Sequence, residues 1–214
     1  VLVHMKLFGD KFEEYYCKET INLGLNMEEY FKIVKLVEKN ETIRFYVSGD
    51  DKNTLAIQRY NKEEDIRNTK FIKLMDIPIA NMRIPQIQYE SVIVMNSGRF
   101  QKICKEIFNF SDKIEIISTD NVLYLKAHKE NVSQEICIKP TNTDGGMKYE
   151  SCDNKDEIIT GVFNLKYLVQ FSKCVNLCNN VKIHIKNDYP LLVECEVAKI
   201  GLIRICLAPE VEEV

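Results

Sequence analysis

The chain has 214 residues, carries 29 Lys and Arg against 32 Asp and Glu, and is 45% apolar with no Trp. That length holds one large domain or two smaller ones, and the apolar share suffices for a core, which excludes an intrinsically disordered chain. Eight Gly and five Pro exclude a collagen-like or Pro/Gly-rich chain, and no apolar run approaches the ~20 residues of a membrane-spanning helix.

The chain opens on Val1 rather than Met, directly on a β-type run at 1–7, and reads as a fragment. No basic stretch followed by an apolar one opens it, so no secretory signal is expected. Residues 14–18 and 20–25 continue the strand pattern. Asn26 suits a helix N-cap, with Glu28 and Glu29 in the first turn, where negative charge complements the helix dipole. Met27, Tyr30, Phe31, Ile33, Val34 and Val37 recur at helical spacing, and Asn40 stops the helix. Strands are predicted at 42–47 and 54–60 about a turn through Ser48-Gly49-Asp50-Asp51, and at 71–75 after a polar turn at 61–65. Residues 76–88, with Pro78 and Pro85 and few charges, read as an extended connector. Beyond it lie a strand at 91–95 and a helix capped by Ser97 with the apolar face Phe100, Ile103, Cys104, Ile107 and Phe108. Strands follow at 113–117, 122–127 and 135–139, then a flexible turn at Asp144-Gly145-Gly146 and a strand at 157–163. Asn164 caps a third helix, strands at 181–186, 191–197 and 202–207 close the pattern, and Glu210, Glu212 and Glu213 form an acidic tail.

Residues 25–47 lie over 163–185 at an offset of 138 without a gap. Asn26 meets Asn164 as a cap, Lys35 meets Lys173, and Ile43, Phe45 and Val47 meet Val181, Ile183 and Ile185 at alternate strand positions. With a two-residue gap, Leu55 and Ile57 meet Leu191 and Val193. Any capped amphipathic helix before a strand gives part of this match; agreement of cap, helix length and strand phase together favours duplication. The fold class expected is α+β, with two similar units: 1–75, the connector 76–88, and 89–214.

The net charge of −3 argues against a general attraction for DNA, but its distribution is uneven. Lys32, Lys35 and Lys39 fall on one stripe of the first helix, Arg99 and Lys102 on the second with Lys105 at its flank, and Lys166, Gln170 and Lys173 on the third. Lysine is a common solvated helix residue, so one stripe means little. Three stripes on a repeated unit predict a positive surface that holds phosphates without reading base sequence.

No catalytic signature is present: no phosphate-binding Gly-rich loop, no G-x-S-x-G and no H-E-x-x-H. Asp50-Asp51 and Glu63-Glu64-Asp65 read as solvated turn carboxylates. Cys17, Cys104, Cys137, Cys152, Cys174, Cys178, Cys195 and Cys206 form no C-x-x-C pair and read as small hydrophobes of a reducing compartment, with Cys174 and Cys178 on one helical face. His4, His128 and His184 are scattered, so neither a metal site nor a cofactor is expected.

From Val1 to Val214 the chain resembles the proliferating cell nuclear antigen family, the sliding clamps of eukaryotic and archaeal replication. The resemblance rests on Phe71-Ile72-Lys73-Leu74-Met75-Asp76, on Ile84-Pro85 with Tyr89, and on Ser97-Gly98-Arg99-Phe100 with Ile103-Cys104. It continues through Leu165-Lys166-Tyr167-Leu168, Tyr189-Pro190-Leu191-Leu192-Val193-Glu194 and Leu207-Ala208-Pro209. It implies a DNA clamp fold and a homotrimeric ring around duplex DNA. The protein would be no enzyme but a processivity factor for replication and repair, in the nucleus or at a viral replication site. On that resemblance Lys32, Lys35, Lys39, Arg99, Lys102, Lys105, Lys166 and Lys173 face the DNA.

The resemblance also implies a hydrophobic pocket for a short peptide motif of DNA polymerase, clamp loader, flap nuclease and ligase. Its matching positions are Leu2, Met82, Ile84, Pro85, Pro190, Cys206, Leu207, Ala208 and Pro209, with Cys206 where a Tyr is common. Protomers would join edge to edge through 69–74 and 147–152. Asp120 falls where many eukaryotic clamps carry the ubiquitin-accepting lysine, and Val1 aligns about 45 residues into the family's length. Abundant Lys, Asn and Ile suggest an A/T-rich genome, as in a parasite or large DNA virus. The other reading is a clamp-fold interaction module, monomeric or heteromeric, that does not encircle DNA; a hydrolase using Cys104 or a carboxylate cluster is a third.

Overall fold

The computed structural model describes residues 1–78, 87–119, 122–143, 145–152 and 158–210. Met82, Ile84 and Pro85 of the expected connector, Asp120, Asp144, Glu157, Glu212 and Glu213 lie outside the described residues. The chain divides into two compact units: Tyr16–Arg83, and Val1–Tyr15 together with Ile84–Val214.

The smaller unit holds helix α1 (Met27–Val34) and a three-stranded antiparallel sheet, β2 (Glu41–Val47), β3 (Thr54–Asn61) and β4 (Ile66–Lys73). Its buried cluster is Leu55, Ile57 and Ile72, with Tyr30 and Ile33 of α1 packed against it. The predicted strands at 14–18 and 20–25 are not formed. After a short 3₁₀ turn at Gly9–Lys11 the chain runs as irregular backbone, tied down by the Met75 N–H donating to the Gly24 carbonyl at 2.9 Å. Among the described residues the only ladder contact of this stretch is the isolated Gly24↔Met75 bridge, and β-type composition without a paired strand does not make a sheet.

The larger unit is built on two antiparallel sheets. The six-stranded sheet runs in the order β1 (Leu2–Leu7), β13 (Gly201–Leu207), β12 (Leu191–Val197), β11 (Asn180–Ile185), β5 (Ser91–Asn96), β9 (Lys148–Cys152). The four-stranded sheet runs β10 (Ile159–Asn164), β6 (Lys113–Thr119), β7 (Val122–Lys129), β8 (Val132–Ile138). Helices α2 (Ser97–Phe108) and α3 (Leu165–Phe171) complete it. Alternate residues of both sheets (Ile93, Ile183, Val193 and Ile205 from one, Ile114, Ile116 and Leu125 from the other) join Phe100, Ile103, Leu165 and Leu168 in one continuous core. The period-2 pattern predicted for these strands is thus the inward face of each sheet.

β1 was expected in the first unit, 1–75, but pairs along β13 from Leu2↔Cys206 to Leu7↔Gly201 and so belongs to the larger unit. Gly201 permits this: a Cβ there would collide with the Lys6 carbonyl oxygen, so only glycine lets the two backbones close to ladder distance. The duplication predicted from the sequence appears as matching register. Phe45 pairs with Ile57 in β2–β3, and their counterparts Ile183 and Val193 pair in β11–β12.

Candidate nucleic-acid interface

Helix α2 starts one residue earlier than expected. Asn96, not Ser97, is the N-cap, its Oδ1 accepting from the Arg99 N–H at 3.1 Å. Ser97 is buried, and its hydroxyl donates to the Cys178 carbonyl at 2.6 Å, which anchors the helix to the chain after α3. Phe100, Ile103, Cys104 and Ile107 are buried as predicted; Phe108, predicted on the same face, is exposed because it falls at the end of the last turn. Arg99, Lys102 and Lys105 lie on the exposed side.

The Asn164 cap of α3 accepts from the Lys166 N–H at 3.2 Å, and Leu165, Leu168 and Phe171 are buried while Lys166 is exposed. The helix ends at Phe171. Lys173 therefore sits on the following 3₁₀ turn, Ser172–Asn176, rather than on a third helical turn. The Gln101 side-chain amide donates to the Ser172 carbonyl at 2.8 Å, so α2 and this segment are locked side by side. Arg99, Lys102, Lys105, Lys166 and Lys173 thus occupy the solvent side of one packed helix pair. Among the described residues none of them makes an ion pair. Glu106, the acid of α2, accepts from the Gln134 amide of β8 at 2.6 Å and leaves the cations unneutralised.

In the smaller unit the predicted stripe is shorter. Asn26 caps α1, its Oδ1 accepting from Glu28 and Glu29 N–H groups at 3.0 and 3.3 Å. The helix ends at Val34, where Leu36 and Val37 N–H groups bond back three residues, and the Arg59 guanidinium takes the Leu36 carbonyl. Lys35 is the C-cap, its ammonium 5.9 Å from the Phe31 ring centre, and Lys39 lies in a turn beyond the helix. Only Lys32 is helical, and it pairs with Glu28 at 2.8 Å. Sequence periodicity ran on because residues 35–40 keep apolar positions that serve the turn.

Of the described pocket positions, Leu2 and Cys206 lie on the opposite face of the six-stranded sheet from the core. Leu2, Cys206, Leu192, His184 and Val92 are consecutive cross-strand neighbours along one row through β1, β13, β12, β11 and β5. Tyr89 covers part of that row. Its ring centre stands 5.3 Å from that of His184, and its hydroxyl donates to the Pro190 carbonyl at 3.4 Å. Burial pushes the Tyr89 hydroxyl up to about 12, raises the Cys206 thiol and lowers His184, so all three are neutral and the row is an apolar platform. Leu207 alternates into the core, while Ala208 is exposed and Pro209 half-buried at the strand end. Leu192, His184 and Tyr89 add to the positions that the resemblance implies. Leu192 was legible as the residue two places after Pro190 in a period-2 strand, whereas His184 and Tyr89 join only through tertiary packing.

The residues considered for chemistry are structural. Cys104 is fully buried in the core, and burial pushes its thiol up to about 12, far from a nucleophile's range. The Glu63-Glu64-Asp65 turn is held by Asn61, whose side-chain carbonyl accepts from Glu63 and Glu64 N–H groups, and by Tyr60 donating to Asp65. Asp51 accepts from the Asn53 N–H at 2.9 Å, closing the β2–β3 turn. Among the described residues no helix is long and apolar enough to cross a membrane.

Two units that share a capped-helix-and-hairpin pattern backed by antiparallel sheets, the larger with unneutralised cations on the solvent side of its helices, fit a DNA-clamp architecture. The model of the proliferating cell nuclear antigen N-terminal domain matches residues 1–82, and that of its C-terminal domain matches residues 83–210. The chain belongs to the proliferating cell nuclear antigen family: it is a non-enzymatic DNA sliding clamp. It is 30% identical over 211 residues to a probable DNA polymerase sliding clamp of Acanthamoeba polyphaga mimivirus, covering 97% of this chain and 44% of that protein. It is 27% identical over 208 residues to probable DNA polymerase sliding clamp 1 of Paramecium bursaria Chlorella virus 1, covering 97% and 79% of the two chains. It is 29% identical over 213 residues to the proliferating cell nuclear antigen of Caenorhabditis elegans, covering 99% and 81%.

Proposed function

We propose that this chain acts as a polymerase processivity factor: a homotrimer of two-domain protomers that encircles duplex DNA and tethers replication and repair proteins to it. The observation that carries this reading is the set of five unneutralised cations on the solvent side of the α2–α3 pair, in a chain of net charge −3. Phosphate contacts from exposed lysine and arginine hold a duplex without reading its sequence, and their salt sensitivity keeps the grip weak enough to slide. Lys32, Lys35 and Lys39 extend the same role to the smaller unit. The domains of this reading are 1–75 and 89–214, with the connector 76–88 between them.

Ring closure uses β4 and β9. Among the described residues each is the last strand of its sheet, so its outer edge is where a strand of a neighbouring protomer would add. Partners (polymerase, clamp loader, flap nuclease and ligase) dock a short peptide on the Leu2–Cys206–Leu192 platform, with Pro190, Leu207, Ala208, Pro209 and the connector residues Met82, Ile84 and Pro85 as the further positions that the family resemblance implies. Aliphatic residues with a few backbone acceptors suit such a peptide. The protein works in the nucleus, or at a viral replication site.

The Lys32/Lys35/Lys102/Lys173→Glu variant tests the reading. It is expected to lose retention on circular duplex DNA, with the salt dependence of retention falling by about one unit of slope per phosphate contact removed. Its affinity for a partner-motif peptide should be unchanged, whereas Ile84→Asp should do the reverse. Unaltered DNA retention in the lysine variant would defeat the proposal. A solution mass of one 25.0 kDa chain, in place of three, would favour an adaptor that does not encircle DNA.

A further inference from the structure

The three-stranded sheet of the smaller unit has a face that neither its core nor the clamp reading uses. Leu55, Ile57 and Ile72 of β3 and β4 point to the core, so the alternate residues of the three strands form the other side. One cross-strand row there is Thr42, Tyr60 and Arg67. The Arg67 guanidinium stands 5.1 Å from the Tyr60 ring centre, a contact that holds it without using its N–H donors. The next row is Arg44, Gln58 and Thr69, in which the Gln58 amide donates to the Thr69 hydroxyl at 3.1 Å. The two arginines line one cavity of about 240 Å³ together with Thr42, Gln58 and Tyr60. In the third row Ala56 is buried at the centre, and Tyr46 and Phe71 flank it, 39% and 68% exposed. None of the residues in these rows is acidic; Asp65, in the turn after β3, accepts from the Tyr60 hydroxyl at 3.1 Å.

We propose that this face binds single-stranded nucleic acid without regard to its sequence. Two arginine forks on a cavity that no carboxylate lines suit a phosphate, since each guanidinium can hold one through two N–H groups. The exposed rings in the third row suit bases. Tyr46 and Phe71 stand on β2 and β4, either side of β3, about 10 Å apart across the sheet. Every base has a π-face that stacks on an aromatic side chain, so the rings add affinity without adding base preference.

The aromatic row is what selects a single strand. A duplex keeps its bases stacked inside and presents phosphates and groove edges, so rings on a sheet face add nothing to its binding. A single strand splays its bases and is held by cations that track its backbone with aromatic side chains beside them. A phosphorylated or acidic peptide satisfies the arginines alone and does not call for two rings in the following row. The face lies within the smaller unit, so the inference rests neither on ring closure nor on the cations of α2 and α3.

The test follows the fluorescence anisotropy of a labelled oligothymidylate titrated with the full chain at a series of salt concentrations. Binding that weakens with salt is expected. Arg44→Glu/Arg67→Glu should weaken it about tenfold or more, and should flatten the salt dependence by about 0.7 of a slope unit per phosphate contact removed. Tyr46→Ala/Phe71→Ala should weaken it about fivefold or more with the salt slope unchanged, because stacking releases no counterions. All four positions are exposed, and circular dichroism of both variants should match the unaltered chain. The arginine pair should keep its retention on circular duplex DNA, and Lys102→Glu/Lys173→Glu should keep its oligothymidylate binding, which separates failure here from failure of the clamp reading. No oligothymidylate binding by the full chain, an arginine or aromatic pair that binds as tightly as the unaltered chain, a greater loss in the lysine pair than in the arginine pair, or displacement of the oligothymidylate by a phosphoserine peptide of higher affinity would each overturn the proposal.

Discussion

Helices α1 and α3 are counterparts at an offset of 138 residues, share the same asparagine cap, and meet different fates. Met27, Tyr30 and Ile33 correspond to Leu165, Leu168 and Phe171. Met27 is 65% exposed, and no residue of α1 is fully buried; Leu165 and Leu168 are 0% exposed and Phe171 is buried. The hairpins that follow keep the same register and both bury the β3 or β12 strand. What differs is the surroundings. In the larger unit α3 has α2 at its side and a second sheet beneath it, whereas α1 has three strands. The same local pattern is worth little or much according to the apolar surface that closes over it.

The strongest way to break this comparison is a matched truncation. Leu168→Ala should cost about 2–5 kcal/mol, because it leaves a cavity in a closed core, and Met27→Ala should stay within about 0.5 kcal/mol. Urea unfolding of the two variants measures the difference, and equal costs would mean that the two helices are supported alike. A smaller effect is expected at the caps. Asn164→Ala and Asn26→Ala should each cost about 1 kcal/mol, since each removes an acceptor for first-turn N–H groups. Helical circular dichroism with urea titration reads this, and a neutral Asn26→Ala would show that α1 is held by something other than its cap.

The smallest effect concerns acid. The Lys113 ammonium, 2.6 Å from Glu210, and the Asn164 amide hold the Glu210 carboxyl below its ordinary value. The folded chain therefore favours the carboxylate. Its stabilisation is present above the ordinary carboxylate value and is lost as pH falls through the lowered folded value. Glu210→Gln should lower the urea midpoint at pH 7 slightly, and the gap to the unaltered chain should close with acid. A gap that stays constant down to pH 2 would assign the effect to packing. Because Glu210 ties the chain end to β6 and α3, this reports on the larger unit.

Much of the site was legible in residues of fixed spacing. Phe100, Ile103, Cys104 and Ile107 declare a buried face, and Arg99, Lys102 and Lys105 fall opposite them by helix geometry. Less legible were the ends. Ser97 and Asn96 are both good caps by type, and the choice fell to Asn96 because the Cys178 carbonyl, 81 residues away, claims the Ser97 hydroxyl. Lys39 and Lys173 keep helical spacing but lie past helices that stop at Val34 and Phe171, where tighter turns begin. Likewise residues 14–25 have strand composition and no strand.

Local sequence determined the capped helices, the alternating strands, the internal repeat and the side of each helix that carries charge, because those follow from periods of 3.6 and 2 residues acting over a few turns. Tertiary structure alone decided that β1 lies along β13 and that Leu2, Cys206, Leu192 and Tyr89 make one platform. Strand pairing and side-chain packing join residues distant in sequence, and no local period encodes which distant partner will complete a backbone ladder or fill a core.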